Sequence, residues 1–383
     1  MRIQVQLPEV KPDITTIPTE CPHQDCTGCY FKPHGVKGET KAVRDFKQDT
    51  VTSYRWKCMT CKRTFRVYPA GVSGSQQSNR LKAVSVLLYV LGLSYGGAAD
   101  FLVAFGQPIG KTTIYENVQA AGMQSRQRQQ QGGDEGQSCA VIGSDGTYIK
   151  IKGVKVGIQV VVNDSTEELL GLTLTSSENS PEAAEMVREI AEKVGAEVLV
   201  SDDWGTYQEL ADDMGLAHQI CHKHVKDNVD RLADELLKQL TRGEPLPEDV
   251  TASPEILAMD LALVQWLSWV RPPEAPDYLK SLYQRYQAAP QPPSGHKHPV
   301  WYRMRLLVAR LWDRWDRLTL DQRRDDLDGT NNACERVIGW WIKERYRTMR
   351  GYKRAESVHN VVTLTARMGA NSGDYDMTEL FAV

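Results

Sequence analysis

A multidomain α+β chain is what this sequence predicts, and three observations predict it. Five of its eight cysteines fall before residue 62. Between Ser78 and Gly122, apolar residues recur at helical spacing in three runs separated by Gly-rich breaks. From Cys139, β-branched strand runs give way to alternating helix and strand, and after about Leu240 to helical runs. The 383 residues, 41% hydrophobic and 25% charged, suit a globular chain of two or three domains.

The front end comes first. "CPHQDCTGC" and "YRWKCMTCKRTF" supply Cys21, Cys26, Cys29, Cys58 and Cys61. Two knuckles held apart by a polar, strand-like stretch are what a tetrahedral zinc site needs. Cys58 and Cys61 form one half. Cys21 and Cys26 form the other, with Cys29 as the substitute for Cys26. The expectation for residues 1–70 is therefore a zinc ribbon. Cys139, Cys221 and Cys334 are scattered. The opening "MRIQVQLPEV" lacks the apolar core of a secretory signal. In such a chain, clustered cysteines favour metal over disulfides. The longest apolar-rich stretch, around Leu81 to Leu93, is too short to span a bilayer. A soluble cytoplasmic protein is expected.

Residues 71–135 carry the three helical runs. The third begins "KTTIYE", where Thr113-x-x-Glu116 reads as a capping box. Short helices with a turn before the last suit a helix-turn-helix, whose last helix enters the major groove of DNA. Lys111, Thr112 and Tyr115 stand at the head of that helix. An ordinary small helical bundle is the competing reading. "GQPIGKTT" mimics a phosphate loop, but three residues separate Gly106 from Gly110 where the motif needs four, so nucleotide binding is rejected.

Residues 136–240 change pattern. "CAVIGSDGTYIKIKG", "KVGIQVVVND" and "ELLGLTLTS" read as strands, followed by alternating helix and strand. That is the order of a ribonuclease-H-like domain, with an antiparallel and a parallel part. Asp145 lies in the first strand, although Asp-Gly between apolar runs is also a hairpin signal. Asp202 follows "EVLV", where a helix cap is the alternative, a role open also to Ser201 or Asp203. An all-helical insertion is expected over residues 241–328, the final catalytic helix over 329–368 and a loosely ordered tail over 369–383. Trp266, Trp269, Trp301, Trp312 and Trp315 are expected to pack the insertion, with stacking on a flipped base as the alternative.

Net charge is −3, yet its distribution is uneven. Phe31 to Arg66 holds ten Lys/Arg against three acids, and Glu335 to Arg354 seven against two. A polyanion responds to such patches within a Debye length. The second patch reads as one long helix starting with an Asn332-x-x-Glu335 capping box, with Trp340 and Trp341 anchoring it in the core. Asp145, Asp202 and Glu335 come from a first strand, the end of a fourth strand and a late helix. In a ribonuclease-H-like sheet these places meet at one edge. Three carboxylates there can hold two Mg²⁺ ions roughly 4 Å apart, and the basic residues behind Glu335 would hold a polyanion.

The set "GSDGTYIKIKG", "VLVSDDWGTY", "QICHKHV" and "TNNACERVIGWWIKERYRTMRG" resembles prokaryotic insertion-sequence transposases of the DDE type, in the mutator-like group. The resemblance runs from Cys21 to about Ala366. It implies that Asp145, Asp202 and Glu335 are the metal-binding triad for Mg²⁺ (or Mn²⁺). Asp203 departs from a Gly often found there. The resemblance also implies that Cys221 and His224 match a Cys-x-x-His pair that shapes the site; otherwise they read as a buried Cys and a helix-start His. Zinc on Cys221, His222 and His224 lacks an apparent fourth ligand. Implied partners are double-stranded DNA, both transposon ends and target, and further copies of the chain in a dimer or larger assembly at the nucleoid. Arg336, Lys343, Arg345, Arg347 and Arg350 are expected on phosphates. A structure-selective nuclease and a non-enzymatic DNA-binding regulator are the rival readings.

Overall fold

We describe residues 4–12, 17–35, 38–131, 138–176, 181–241, 253–349, 352–370 and 375–381 in a computed structural model of the chain. After β1 (Val5–Gln6) come β2 (Phe31–Pro33), β3 (Glu39–Ala42), β4 (Thr50–Cys58) and β5 (Thr64–Val67). β4 pairs antiparallel with β2, β3 and β5. The apolar core beneath it is small: Val10, Val43, Val51 and Val72, with Tyr68 against them. Asp45 leaves this unit to meet the next. Its buried carboxylate accepts from Ser78 and from Arg80, 3.0 Å away.

The helices α1 (Asn79–Val90), α2 (Tyr95–Ala104) and α3 (Lys111–Gln131) follow. Ser78 and Ser94 start the first two by accepting from the N–H groups of Leu81 and Gly97. α3 begins at Lys111. Thr113 therefore lies inside the first turn, and the expected capping box is not the start signal.

The central sheet consists of β6 (Val141–Ile151), β7 (Val154–Asn163), β8 (Leu169–Thr175), β9 (Val198–Ser201) and β10 (Ala217–Ile220). Between these strands run α4 (Pro181–Val194) and α5 (Gly205–Met214), and α6 (His222–Leu240) comes after them. The spatial order is β10-β9-β6-β7-β8. β6, β7 and β8 are antiparallel, while β9 and β10 run parallel to β6. This is the division into antiparallel and parallel parts that the strand pattern predicts. Side chains alternate across β7. Ile158, Val160 and Val162 join the core shared with α1 to α3, and Val161 joins the one under α4 and α5.

Where an all-helical insertion was expected, the chain forms α7 (Pro254–Val270), α8 (Ala275–Tyr286), α9 (Val300–Asp313) and α10 (Trp315–Leu318). Its core takes in Val225, Val229, Ala233 and Leu236 from α6, so that helix ties insertion to sheet. Trp301 and Trp315 are buried there as expected, whereas Trp266, Trp269 and Trp312 are exposed.

The expected long helix is three pieces: α11 (Asn332–Arg336), a π-helical stretch over Val337–Lys343 and α12 (Glu344–Thr348). α13 (Ala355–Ala370) then packs along α3, so closely that a Cβ on Gly122 would lie 2.5 Å from the Asn360 carbonyl oxygen. The tail differs from expectation. β11 (Tyr375–Asp376) pairs parallel with β1, and Tyr375, Met377 and Leu380 are buried in the main core. Burial of three apolar side chains holds down a segment whose polar composition suggested loose order. No helix among the described residues is long and apolar enough to cross a membrane.

Candidate active site and metal centres

The sheet register brings two of the acids together. Asp145 lies inside β6, opposite Val160 of β7, and the strand runs on to Ile151, so its Asp-Gly is not a hairpin turn. β6 pairs with β9 through Gly143 and Val200. Continued two residues, that register sets Asp202 beside Asp145, both past the end of the parallel pairing. Asp202 does not cap a helix: Trp204 stands at the cap of α5 and makes no side-chain cap bond.

α11 carries the third acid. The cap position belongs to Asn331, not Asn332, and its side chain makes no cap bond. Asn331 instead donates to the Ser144 carbonyl oxygen at 2.9 Å, which pins the start of the helix to β6 next to Asp145. The Glu335 N–H closes the first turn on the Asn331 carbonyl. Cys334, fully buried, faces β7. Sequence reasoning did not single out Asn331; an Asn directly before the helix was its only signal.

His224 stands between the acids. Its Nε2 lies 3.5 Å from Glu335 Oε1. Contact with Cys221, then the charges of Cys221, Glu335 and Asp145, push its pKa up to about 9 against the opposing effect of burial. Burial and then Asp203 raise Asp202, and His224 opposes them. Lys223, which sequence reasoning also missed, places Nζ 3.2 Å from Glu335 Oε2. Asp202 Oδ1 and Glu335 Oε1 are buried and accept no hydrogen bond. Buried carboxylate oxygens without a donor are costly, and hard oxygens left this way suit a hard divalent cation.

Asp203 is occupied elsewhere. Its carboxylate holds Arg314 and Arg310, the latter at 2.9 Å, both from the insertion. A pocket of about 870 Å³ opens beside Asp202 between α6 and α9, with Trp204, Leu306, Arg303 and Arg310 among its lining.

Among the described residues, two sets of metal-ligand side chains have donor atoms within 4.8 Å of one another. Cys21, Cys26, Cys58 and Cys61 form one, with Cys21 Sγ 3.8 Å from Cys61 Sγ and Cys26 Sγ 3.7 Å from Cys58 Sγ. This cluster could hold zinc, and Cys29 is exposed outside it. Cys221, His224 and Glu335 form the other. Asp145, Asp202 and Glu335 share one end of the sheet but do not form such a set.

The expected phosphate contacts divide. Lys111 and Thr112 are exposed, while Tyr115 is half-buried, edge-on to Tyr95 at 5.4 Å. Lys343 and Arg347 are exposed, and Arg347 pairs with Glu344. Arg336 pairs with Glu167 at 2.6 Å. Arg345 differs from expectation. It is buried over the Tyr89 ring, 4.0 Å from the centroid, and donates to Gly92 O, Leu93 O and Thr348 Oγ1. A guanidinium so enclosed does not belong to a phosphate-facing surface. Arg350 lies outside the described residues.

No protein-family model matches the chain, and no curated protein matches it. Solved structures similar to it include the HTLV-2 integrase catalytic core domain in complex with magnesium. Its trimeric form is 18% identical at a TM-score of 0.20, over 34% of this chain and 84% of that one. Its dimeric form is 16% identical at 0.20, over 35% and 88%. The Drosophila P element transposase strand transfer complex is 10% identical at 0.37, over 78% and 93%. At these TM-scores the likenesses carry no weight for fold or function.

Proposed function

We propose that the chain is a DDE-type DNA transposase built on a ribonuclease-H-like sheet, which binds transposon ends, hydrolyses a phosphodiester there and directs the freed 3′-hydroxyl at target DNA. The observation that carries this reading is the pair of buried carboxylate oxygens without donors, Asp202 Oδ1 and Glu335 Oε1, beside His224 and at the same sheet end as Asp145. The sheet order supports it, because β6, which carries Asp145, pairs in parallel with β9, which Asp202 directly follows.

Asp145, Asp202 and Glu335 would hold two Mg²⁺ ions. Such ions, when bound, supply the positive charge that favours both the attacking and the leaving oxygen of an in-line displacement. The chain's own residues set the stage. Asn331 fixes the start of α11 against β6, and so fixes the reach of Glu335. Lys223 donates to Glu335 Oε2, and the His224 ring stands 3.5 Å from Oε1 on the other side. Lys111 and Thr112 at the exposed head of α3 would read end DNA. Lys343, Arg347 and Arg336 would hold phosphates without reading sequence. Cys21, Cys26, Cys58 and Cys61 would take one structural zinc. Two ends must be handled together, so the active form is a dimer or larger assembly on DNA.

The test is Mg²⁺-dependent cleavage of duplexes carrying the transposon end. Asp145→Asn, Asp202→Asn and Glu335→Gln should each abolish cleavage and leave DNA binding intact. Each removes a carboxylate charge and no phosphate contact. Near-normal cleavage by any of the three would remove that residue from the site. Joined products in the same reactions separate strand transfer from simple cutting.

A further inference from the structure

Glu335 has a second set of neighbours besides the two aspartates. Cys221 stands at the cap of α6 and is fully buried. His224 lies three residues on, on the same face of the helix. Glu335 reaches them from α11, and the three donor atoms lie within 4.8 Å of one another. His224 Nδ1 is buried without a hydrogen-bond partner, and Glu335 Oε1, also buried, meets only His224 Nε2, at 3.5 Å and outside hydrogen-bond geometry. One sulfur, one imidazole nitrogen and one carboxylate oxygen are poor company for Mg²⁺, which selects oxygen. They are all ordinary ligands of zinc, at roughly 2.0–2.3 Å. A thiolate, a carboxylate and a neutral imidazole also balance its two positive charges. His222 lies instead among Arg271, Asp321 and Asp328 and does not belong to the set.

We propose that Cys221, His224 and Glu335 form a second zinc-class site, with its fourth position open to water, and that this site shares Glu335 with the magnesium site. A soft-metal ion bound there draws the carboxylate toward α6 and away from Asp145 and Asp202. That consequence rests on the transposase reading; the metal site itself does not. Lys223 is the built-in competitor, since its ammonium already lies 3.2 Å from Glu335 Oε2.

Cobalt(II) is the probe, because thiolate ligation gives it a charge-transfer absorption band. The whole chain, loaded first with one equivalent of zinc for its four-cysteine site, is titrated with Co²⁺. One further equivalent should bind and show a thiolate band of single-sulfur intensity. Cys221→Ser should abolish that band. Glu335→Gln should weaken cobalt binding by roughly tenfold, equivalent to about 1.4 kcal/mol. Lys223→Ala should tighten binding, because it removes a competing cation. The two latter changes lie on partly exposed side chains, so they decide the matter even where Cys221→Ser fails to fold. Absence of a further equivalent, or a thiolate band that survives Cys221→Ser in folded protein, overturns the site. Cobalt affinity unchanged by both Glu335→Gln and Lys223→Ala overturns the sharing of Glu335. None of these readouts needs DNA cleavage, so failure of the site and failure of the transposase reading are separable.

Discussion

Asp202 and Asp203 are chemically the same residue, and their surroundings give them different tasks. Asp202 turns an oxygen into the space beside His224, where no donor meets it. Asp203 turns the other way and holds Arg310 and Arg314 of the insertion. Which way each points was not legible in "SDDW", because strand pairing ends at Ser201, just before the pair. Asp145 was legible as a strand residue only once its neighbours were counted. The Asp-Gly signal for a turn lost to ten residues of ladder with β7. Because Asp203 anchors α9 and α10 to the sheet, Asp203→Asn should lower stability by about 2 kcal/mol, the worth of a partly buried charge-assisted contact. It should keep the metal affinity that Asp202→Asn loses. Equilibrium denaturation and Mn²⁺ titration of the two variants check both halves. Equal loss of metal affinity would return Asp203 to the ligand set.

At the scale of an element, the run behind Glu335 was legible as helix and misleading as a surface. A π turn inserts one residue, which rotates everything after it by roughly 100° relative to a continuous α-helix. Here it spans Val337–Lys343. Trp341 is buried against Gly369, where a Cβ would lie 1.9 Å from the ring, while Trp340 is exposed and does not anchor the helix. Arg345 turns inward onto Tyr89 and the loop after α1, and Lys343 and Arg347 stay outside. No periodicity count sees this, because the change of period lies in the backbone. Arg345→Ala should therefore act on the fold. It removes three hydrogen bonds and a cation–π contact, at a cost of about 3 kcal/mol. Lys343→Ala should leave stability within about 0.5 kcal/mol. On the transposase reading it should instead weaken binding to end and random duplex alike. It should also flatten the slope of log K against log salt by about 0.9. A stability loss at Lys343 matching that at Arg345 would contradict this division.

Across the whole molecule, the runs of strand and helix and the cysteine knuckles were legible because each rests on local pattern. The meeting of the chain's two ends was not. β1 and β11 are short, and they pair across nearly the full length of the sequence. The front end around the four-cysteine cluster is held together differently. Its own apolar core is four valines and part of one tyrosine, too little to hold a unit of that size without a staple. The four thiols, Cys21 and Cys26 before β2 and Cys58 and Cys61 at the turn from β4 to β5, would supply one when a metal joins them. The rest of the chain has large cores of its own and meets this front end through Asp45 with Ser78, Arg80 and Gln107, through Arg44 with Pro108, and through β1 against β11. Removal of this metal should therefore unfold one part and spare the other. Cys58→Ser should lose the tightly held zinc, about one per chain, and expose residues before Ser78 to limited proteolysis. The fragment from about Asn79 onward should remain folded and resist further digestion. Mass spectrometry of the digest, alongside metal analysis, reads both outcomes. A Cys58→Ser protein that carries no zinc and still protects its first 70 residues would show that the valine core suffices. Digestion of the whole chain would show instead that the Asp45 contacts carry the stability of the helical region as well.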